Sequence, residues 1–197
     1  MSTQLNILAL LGGSGSGKTF IKEILLGYSG LVTKKNSRCN SIYFTAPLQV
    51  TTRDRRVMEP SDSYLFVDSD YYSQLNMDNK LTAITFFDEN EYGTLVKDFI
   101  IGDNIYNIVV VSLEGLESLK NSIRDNKFGV KTNLETALVL SNPSDDLINE
   151  HCRNIDFFKD EVFSLIQQPY DYYIPNYEEE RADRDKLFEI FNLRLAD

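Results

Sequence analysis

The sequence predicts an α/β fold in which helices cover both faces of a parallel sheet. Short apolar runs alternate with segments of helical spacing, a pattern typical of parallel sheets. A glycine-rich turn joins the first apolar run, Leu5–Leu11, to the first helical segment, Lys18–Leu26. From about Ser29 to Ile101 the alternation stops and strand-like pieces follow one another. We therefore expect a three-layer α/β/α core interrupted by a small α+β subdomain.

Apolar patterns place the individual elements. Continuous or β-branched runs predict core strands at Leu5–Leu11, Ile105–Val111, Ala137–Leu140 and Tyr172–Ile174. Helical spacing predicts helices at Lys18–Leu26, Glu114–Ile123, Asp145–His151, Phe157–Gln167 and Asp183–Leu195. The interruption holds strand-like pieces at Ser41–Thr45, Tyr64–Val67 and Leu81–Phe87. Residues 1–30 and 102–197 are thus assigned to the core and residues 31–101 to the inserted subdomain.

Composition excludes several classes of function. The chain has 197 residues with 20 Lys/Arg and 30 Asp/Glu, so its formal charge is −10 and nucleic acid or an anionic membrane is a poor main partner. No apolar run approaches the roughly 18 residues of a membrane span. The N-terminal apolar run lacks the basic region of a secretory signal. Cys39 and Cys152 are isolated, which suits a reducing compartment and predicts a cytoplasmic protein.

A phosphate-binding loop is the strongest motif. Residues 12–19 read GGSGSGKT and match G-x-x-x-x-G-K-[ST] in full. Glycines let the backbone wrap a phosphate so that N–H groups point inward, and the following helix adds its positive end. The motif residues Gly12, Gly13, Ser14, Gly15, Ser16, Gly17, Lys18 and Thr19 are therefore predicted to bind the phosphates of a nucleotide, which the resemblance described below implies is ATP. In this motif Lys18 reaches the β- and γ-phosphates, and Thr19 offers a hydroxyl to Mg²⁺.

An arginine-rich segment is a second candidate for anion binding. Residues 51–59 read TTRDRRVME and place three arginines within four positions. Guanidinium groups hold phosphate oxygens in bidentate fashion. From composition alone, a solvated charged turn is the better explanation of the segment.

Taken together, the motifs resemble those of the guanylate kinase family. A P-loop near the N-terminus is followed by T-T-R-x-x-R-x-x-E, which ends at Glu59. Further pieces in the same order are similar to the family's motifs, namely YLFV with Asp70, EYGT at 91–94, LEG at 113–115, LSNPS at 140–144 and YDYYIPN at 170–176. In the family the motif that EYGT resembles opens a helix, which the resemblance places here at Thr94–Ile100. The resemblance covers nearly the whole chain. It implies a P-loop core, an inserted subdomain that binds a nucleoside monophosphate, and a short lid near residues 150–160.

The resemblance also implies roles for individual residues. Lys18 would be catalytic, together with Arg153 in the lid. Contacts to the acceptor nucleotide would come from Arg53, Arg56, Glu59, Tyr64, Tyr92 and Thr94. Of these, Thr94 matches the hydroxyl residue that contacts the base, and Glu59 closes the arginine motif. The tyrosines taken alone are better explained as half-buried packing residues.

The base-reading part of the family pattern is missing. An alignment without gaps places Ala83 where the family has an acidic residue that reads guanine, and Val110-Val111-Ser112 where it has Asp-Ile-Asp. Asp88, Glu89 or Glu91 would substitute only in a rebuilt loop, and Glu114 is a possible replacement for the second site. We therefore expect weak discrimination of guanine. The lid is also short, with 27 residues from Pro143 to Pro169 and His151, Arg153 and Lys159 as its basic candidates.

Three functions follow from the resemblance. The first is phosphoryl transfer from Mg²⁺-ATP to a nucleoside monophosphate, with GMP or dGMP as the default acceptor. The second keeps this reaction but uses another base or a deoxynucleotide, with Gln49, Ala83 and Ser112 lining the pocket. The third is a guanylate-kinase-like binding module with little turnover, which the short lid favours and the intact P-loop disfavours.

Overall fold

The computed structural model describes residues 3–13, 15–35, 41–59, 63–141, 164–176 and 182–196. Its centre is a five-stranded, fully parallel sheet in the order β10-β9-β1-β8-β3. These strands are β1 (Leu5–Leu11), β3 (Tyr43–Thr45), β8 (Ile105–Val110), β9 (Thr132–Leu140) and β10 (Tyr172–Pro175). All seven residues of β1 are buried because strands flank it on both sides and helices cover both faces. The predicted parallel core is confirmed.

Helices pack on both faces of this sheet. On one face, α1 (Lys18–Gly27) and α4 (Arg184–Ile190) bury Ile21, Leu25 and Leu187 against Leu8 and Leu10 of β1. On the other face, α3 (Leu113–Arg124) buries Leu116 and Leu119 against the alternate residues of β1. Because successive side chains of a strand point to opposite faces, β1 serves both layers. The three-layer α/β/α arrangement is thus confirmed.

The inserted subdomain has its own four-stranded sheet, in the order β5-β4-β7-β6. Its strands are β4 (Gln49–Thr51), β5 (Leu65–Phe66), β6 (Leu81–Phe87) and β7 (Asn90–Leu95). Helix α2 (Ser69–Met77) covers one face and buries Tyr72 and Leu75 against Val50 and Leu81. Asp88 and Glu89 have positive φ angles of 50° and 62°, which suits the two-residue turn joining β6 to β7.

Two expectations about this region are corrected. The strand expected at Ser41–Thr45 pairs with β8 in the core sheet, so it does not belong to the subdomain. The helix expected at Thr94–Ile100 is absent, because Thr94 pairs with Gln49 inside β7 and only a short 3₁₀ turn, Val96–Asp98, follows. In the first case the strand pairs with a different sheet from the one expected, and in the second the pairing of Thr94 with the distant Gln49 replaces the expected helix.

The C-terminal expectation is also wrong in part. The helix expected at Asp183–Leu195 ends at Ile190, and Asn192 then adopts a positive φ of 53°. The last residues form β11 (Leu193–Leu195), which pairs antiparallel with β2 (Val32–Lys34). Strand β2 therefore packs with the core although it lies within the range 31–101.

One observed helix was not predicted, and two predicted helices lie wholly or partly outside the described residues. Helix α2 was not expected, although Asp68 is its N-cap and accepts a hydrogen bond from the Tyr71 N–H. The segment expected to be helical at Asp145–His151 lies outside the described residues, and of Phe157–Gln167 only residues 164–166 are described as helical. Among the described helices, none combines the length and the apolar character needed to cross a bilayer.

Candidate functional site

The glycine-rich loop after β1 has the backbone form of a phosphate site. Gly12, Gly15 and Gly17 have positive φ angles of 150°, 76° and 93°. A Cβ added to Gly12 would lie 2.6 Å from the carbonyl oxygen of Val139 in β9, so a side chain does not fit there. Helix α1 begins directly behind the loop at Lys18. Its first N–H groups and positive end therefore face the space that the loop encloses.

Side chains of the loop fit nucleotide phosphates. The Lys18 ammonium group donates hydrogen bonds to the carbonyl oxygens of Gly12 at 2.7 Å and Gly13 at 2.8 Å, which holds its charge over the loop. Ser16 is 1% exposed, and its Oγ has no hydrogen-bond partner among the described residues. A buried hydroxyl of this kind is satisfied when a ligand brings a polar atom to it. Ser14 lies outside the described residues.

The end of β10 fastens the loop to the core. The Asn176 amide donates a hydrogen bond of 2.8 Å to the Ser16 carbonyl oxygen, and its own oxygen accepts one from the Ala182 N–H at 3.3 Å. A Cβ added to Gly17 would collide with the same Asn176 amide. Sequence reasoning quoted Asn176 in the YDYYIPN segment without giving it this role. Its position directly after a strand was the available signal.

In the arginine-rich turn, an ion pair fixes one guanidinium group. Arg53 donates to both carboxylate oxygens of Glu59, at 3.0 and 2.8 Å, in a bidentate arrangement. The pair raises the pKa of Arg53 and lowers the pKa of Glu59, chiefly through these hydrogen bonds. The Arg56 N–H donates to the same carboxylate at 3.1 Å. Glu59 therefore shapes the turn and orients Arg53.

The guanidinium group of Arg53 packs over two aromatic rings. Its guanidinium carbon lies 5.5 Å from the ring centroids of both Tyr64 and Phe66. Tyr64 stands edge-on to Tyr92 at 6.3 Å, and burial is the main cause that raises the pKa of the Tyr64 hydroxyl. The Tyr72 hydroxyl donates to the Tyr92 carbonyl oxygen at 2.8 Å and so holds β7 from the other face. The raised pKa keeps the Tyr64 hydroxyl a protonated donor at neutral pH.

One cavity of about 530 Å³ connects these features. Gly12 and Lys18 line one end, and Tyr64 and Tyr92 line another. The remaining wall residues come from the subdomain, from β8 and α3, and from the described end of the lid region: Gln49, Ala83, Thr85, Phe86, Phe87, Val110, Val111, Ser112, Leu113, Glu114 and Ser164. A second groove of about 700 Å³ lies between α3 and the start of β6, and neither the loop nor the arginine turn lines it.

The predicted site residues are brought together only in part. The loop, Tyr64 and Tyr92 share the cavity, and Arg53 and Glu59 adjoin it through Tyr64. Arg56 is exposed on the turn, and Thr94 is fully buried in β7 with no hydrogen-bond partner for its Oγ1 among the described residues. Neither Arg56 nor Thr94 is among the residues that line the cavity. Arg153 lies outside the described residues.

Sequence reasoning described the cavity wall around Ala83 only in part. Ala83 is 4% exposed with a φ of 51°, at a bulge between Thr82 and Thr85, so no carboxylate stands there. The Gln49 amide donates to the Val110 carbonyl oxygen at 3.0 Å, which ties the subdomain to β8. Sequence reasoning missed three lining residues that follow the bulge, namely Thr85, Phe86 and Phe87. Their position depends on the bulge, which the sequence does not reveal.

The described residues offer few side chains that could bind a metal ion. The Thr19 side chain is exposed at the first turn of α1, where the motif places a magnesium ligand. Among the described residues no three His, Cys, Asp or Glu side chains are grouped as metal ligands. Mg²⁺ is commonly held by one or two protein groups together with substrate phosphates and waters. The residues present fit that mode of binding.

Comparison with known proteins identifies the fold. No family model matches the sequence, and no curated protein matches it. Sixty-three solved chains do match. A crystal structure of guanylate kinase from Anaplasma phagocytophilum matches with a TM-score of 0.65 over 96% of this chain and 85% of that chain, at 18% sequence identity. The chain therefore has a guanylate kinase-like fold.

Proposed function

We propose that this protein transfers the γ-phosphoryl group of ATP to a nucleoside monophosphate, with GMP or dGMP as the default acceptor. The observation that carries this proposal is the single cavity that has the P-loop at one end and the Tyr64–Tyr92 pair, with Arg53 stacked beside it, at another. This arrangement supports a donor phosphate site and an acceptor phosphate site that open onto the same cavity. The likeness to a guanylate kinase structure supports the proposal.

The reaction needs positioning and charge rather than a covalent enzyme intermediate. An oxygen of the acceptor phosphate attacks the γ-phosphorus, the bond to the bridging oxygen breaks, and ADP leaves. Lys18 and the loop N–H groups hold the donor phosphates. Arg53, Tyr64 and Tyr92 hold the acceptor phosphate, since guanidinium and phenol groups donate to phosphate oxygens. Mg²⁺ on the donor phosphates, with Thr19 as a ligand, would neutralise charge that develops during transfer.

A coupled assay of ADP release tests the proposal. ATP and Mg²⁺ are combined with GMP, dGMP, AMP, UMP, CMP or dTMP. We expect ADP release that depends on the acceptor and a matching nucleoside diphosphate among the products. ADP release that is the same without any acceptor would show an ATPase, and absence of release with every acceptor would exclude a kinase for these nucleotides.

A binding module with little turnover is the second candidate. Lys18 is the only Lys or Arg among the residues that line the cavity in the described part of the chain. Kinases of nucleotides need several positive groups around the transferred phosphoryl group. This candidate predicts that ATP and a nucleoside monophosphate bind by calorimetry while ADP release stays at background.

A further inference from the structure

The outer edge of β6 is bonded to side chains of α3. Among the described strands, β6 stands last in the order of the subdomain sheet, so β7 pairs with only one of its two sides. The other side of such an edge strand presents backbone N–H and C=O groups that need partners. Here the partners come from a helix of the core. The contact therefore joins the inserted subdomain to the core.

Three side chains of α3 make these contacts, and each lies four residues from the next. From the cavity outward, the hydrogen bonds run from the Phe86 N–H to Glu114 Oε2 at 3.1 Å, from the Ile84 N–H to Ser118 Oγ at 2.9 Å, and from the Thr82 hydroxyl to Ser122 Oγ at 2.9 Å. Residues four apart on a helix share a face and rise about 6 Å, and residues two apart on a strand advance about 6.6 Å. Because the two spacings match, α3 follows the edge of β6 contact by contact. We call these three contacts the edge ladder.

The outer end of the edge ladder is shielded from water. Thr82 is fully buried, and Ser122 is 8% exposed. Just beyond α3, the Lys127 ammonium group donates a further hydrogen bond to the Leu81 carbonyl oxygen. A buried hydroxyl that loses its partner cannot turn to water instead, so breaking such a bond is costly. The edge ladder therefore opposes separation of β6 from α3.

The edge ladder also sets the place of one cavity wall. At its inner end, the Thr85 hydroxyl donates to Glu114 Oε2 at 2.7 Å, and both of these residues line the cavity together with Phe86. Ser118 and Ser122 do not line the cavity, and they face the groove of about 700 Å³ instead. The position of the wall thus depends on two serines that lie away from it.

We propose that Ser118 and Ser122 are positioning residues that, through β6, hold the inserted subdomain against the core before the acceptor nucleotide arrives. This inference rests on the proposed function. A site that exists in only a fraction of the molecules has its apparent affinity reduced by that fraction. The edge ladder keeps the wall in place in the free protein, so acceptor affinity depends on it. The glycine-rich loop lies within the core, so ATP affinity does not.

The double variant Ser118→Ala/Ser122→Ala tests the inference, with GMP as the acceptor or the nucleotide that outperforms it in the coupled assay. Two lost hydrogen bonds shift the docking equilibrium by about 10- to 30-fold. Acceptor affinity then falls by the share of molecules that are undocked. We expect the KM for the acceptor to rise about three- to tenfold, while kcat and ATP affinity stay within about twofold. Calorimetric titration of the acceptor gives the same comparison without turnover.

Amide hydrogen exchange measures the docking itself. In the unaltered protein, residues 81–87 should be protected to nearly the same degree with and without the acceptor. In the double variant they should exchange faster, and the acceptor should restore their protection, because it binds the docked form. Strand β1 should exchange equally in both proteins, which distinguishes undocking from a general loss of stability.

Further variants provide the controls. Ser118→Thr keeps the hydroxyl and should keep the KM within about twofold of the unaltered protein. Asn121→Ala alters a residue of the same helix and the same groove whose side chain bonds to Arg124 within α3, so the KM should not change. The two single variants keep the test open if the double variant does not fold. Of these, Ser122→Ala should have the larger effect, because it leaves the Thr82 hydroxyl buried without its partner.

The opposing outcomes are distinct. An unchanged KM for the acceptor in a folded double variant would overturn the inference. A fall in kcat at unchanged KM would also overturn it, because the serines would then act on the transfer step rather than on docking. Equal losses of ATP and acceptor affinity would assign the serines to the fold as a whole. If the unaltered protein binds no nucleoside monophosphate, the proposed function fails and the inference fails with it; if the unaltered protein and the variants bind the acceptor equally well, only the inference fails.

Discussion

The contacts that position Lys18 and Arg53 are local, whereas those across the cavity wall around Ala83 are long-range. In the glycine-rich loop, Lys18 bonds to a carbonyl six residues away, and in the arginine-rich turn, Arg53 bonds to a carboxylate six residues away. In the wall around Ala83, 61 residues separate Gln49 from Val110, and 29 separate Thr85 from Glu114. Local contacts form wherever the motif folds, whereas distant ones depend on how the subdomain sits on the core. Substitutions of Lys18 and of Arg53 should therefore act on one ligand each.

The largest effect is expected for Lys18→Ala. It removes the only ammonium group among the described lining residues, so ATP affinity should fall by about a hundredfold or more. Affinity for the acceptor, measured alone by calorimetry, should change little. Lys22→Ala is the control, since Lys22 lies one turn along α1 beside Glu23. Unchanged ATP affinity in a folded Lys18→Ala protein would contradict the assignment.

Arg53→Ala should weaken the binding of the acceptor nucleotide. Losing one bidentate, charge-assisted contact costs about 2 kcal/mol, or about 30-fold in acceptor affinity. Arg55→Ala should have little effect, because among the described residues the Arg55 side chain bonds only to the Glu59 carbonyl oxygen. Arg56→Ala measures whether that exposed side chain turns to the acceptor. If Arg53→Ala weakened ATP and the acceptor equally, Arg53 would serve the fold.

The sequence predicts the features that depend on local patterns and misses those that depend on long-range contacts. Strands β1 and β8 and helices α1 and α3 were predicted nearly to the residue, because their apolar patterns are continuous and local. The helix over Asp183–Leu195 was overextended, since Leu193–Leu195 pairs with a strand about 160 residues earlier in the chain. The P-loop could be read from its motif. The place of Glu114 could not, because it depends on α3 packing against the bulge of β6.

Asn176→Ala tests a long-range contact of the glycine-rich loop, the one between Asn176 and Ser16. Two hydrogen bonds are lost, and the loop carbonyl at Ser16 loses its partner. ATP affinity should fall about five- to tenfold, equivalent to about 1 kcal/mol, because the loop is no longer held in its binding form. Asn121→Ala is a control on the surface of α3. If acceptor affinity fell as much as ATP affinity, the glycine-rich loop and the acceptor site would be coupled.

The smallest expected effect concerns the Glu59–Arg53 pair and pH. The pKa of Glu59 is lowered in the folded protein, chiefly by its hydrogen bond with Arg53. A lowered pKa contributes stability that is present above the unfolded value of about 4.3 and is lost as pH falls through the folded value. Glu59→Gln has no such titration. Because the pair is close to the surface, its contribution should not exceed about 1 kcal/mol.

Urea denaturation of both proteins at pH 7 and pH 3 measures this contribution. The unaltered protein should be the more stable at pH 7, and the difference in free energy of unfolding should shrink towards pH 3 as Glu59 is protonated. Acceptor affinity should follow the same direction, since protonation releases Arg53 from its fixed position. ATP affinity should show no difference between the two proteins at either pH. A stability difference that stays constant from pH 7 to pH 3 would mean that Glu59 acts through shape alone, and the ion pair would then not be what orients Arg53.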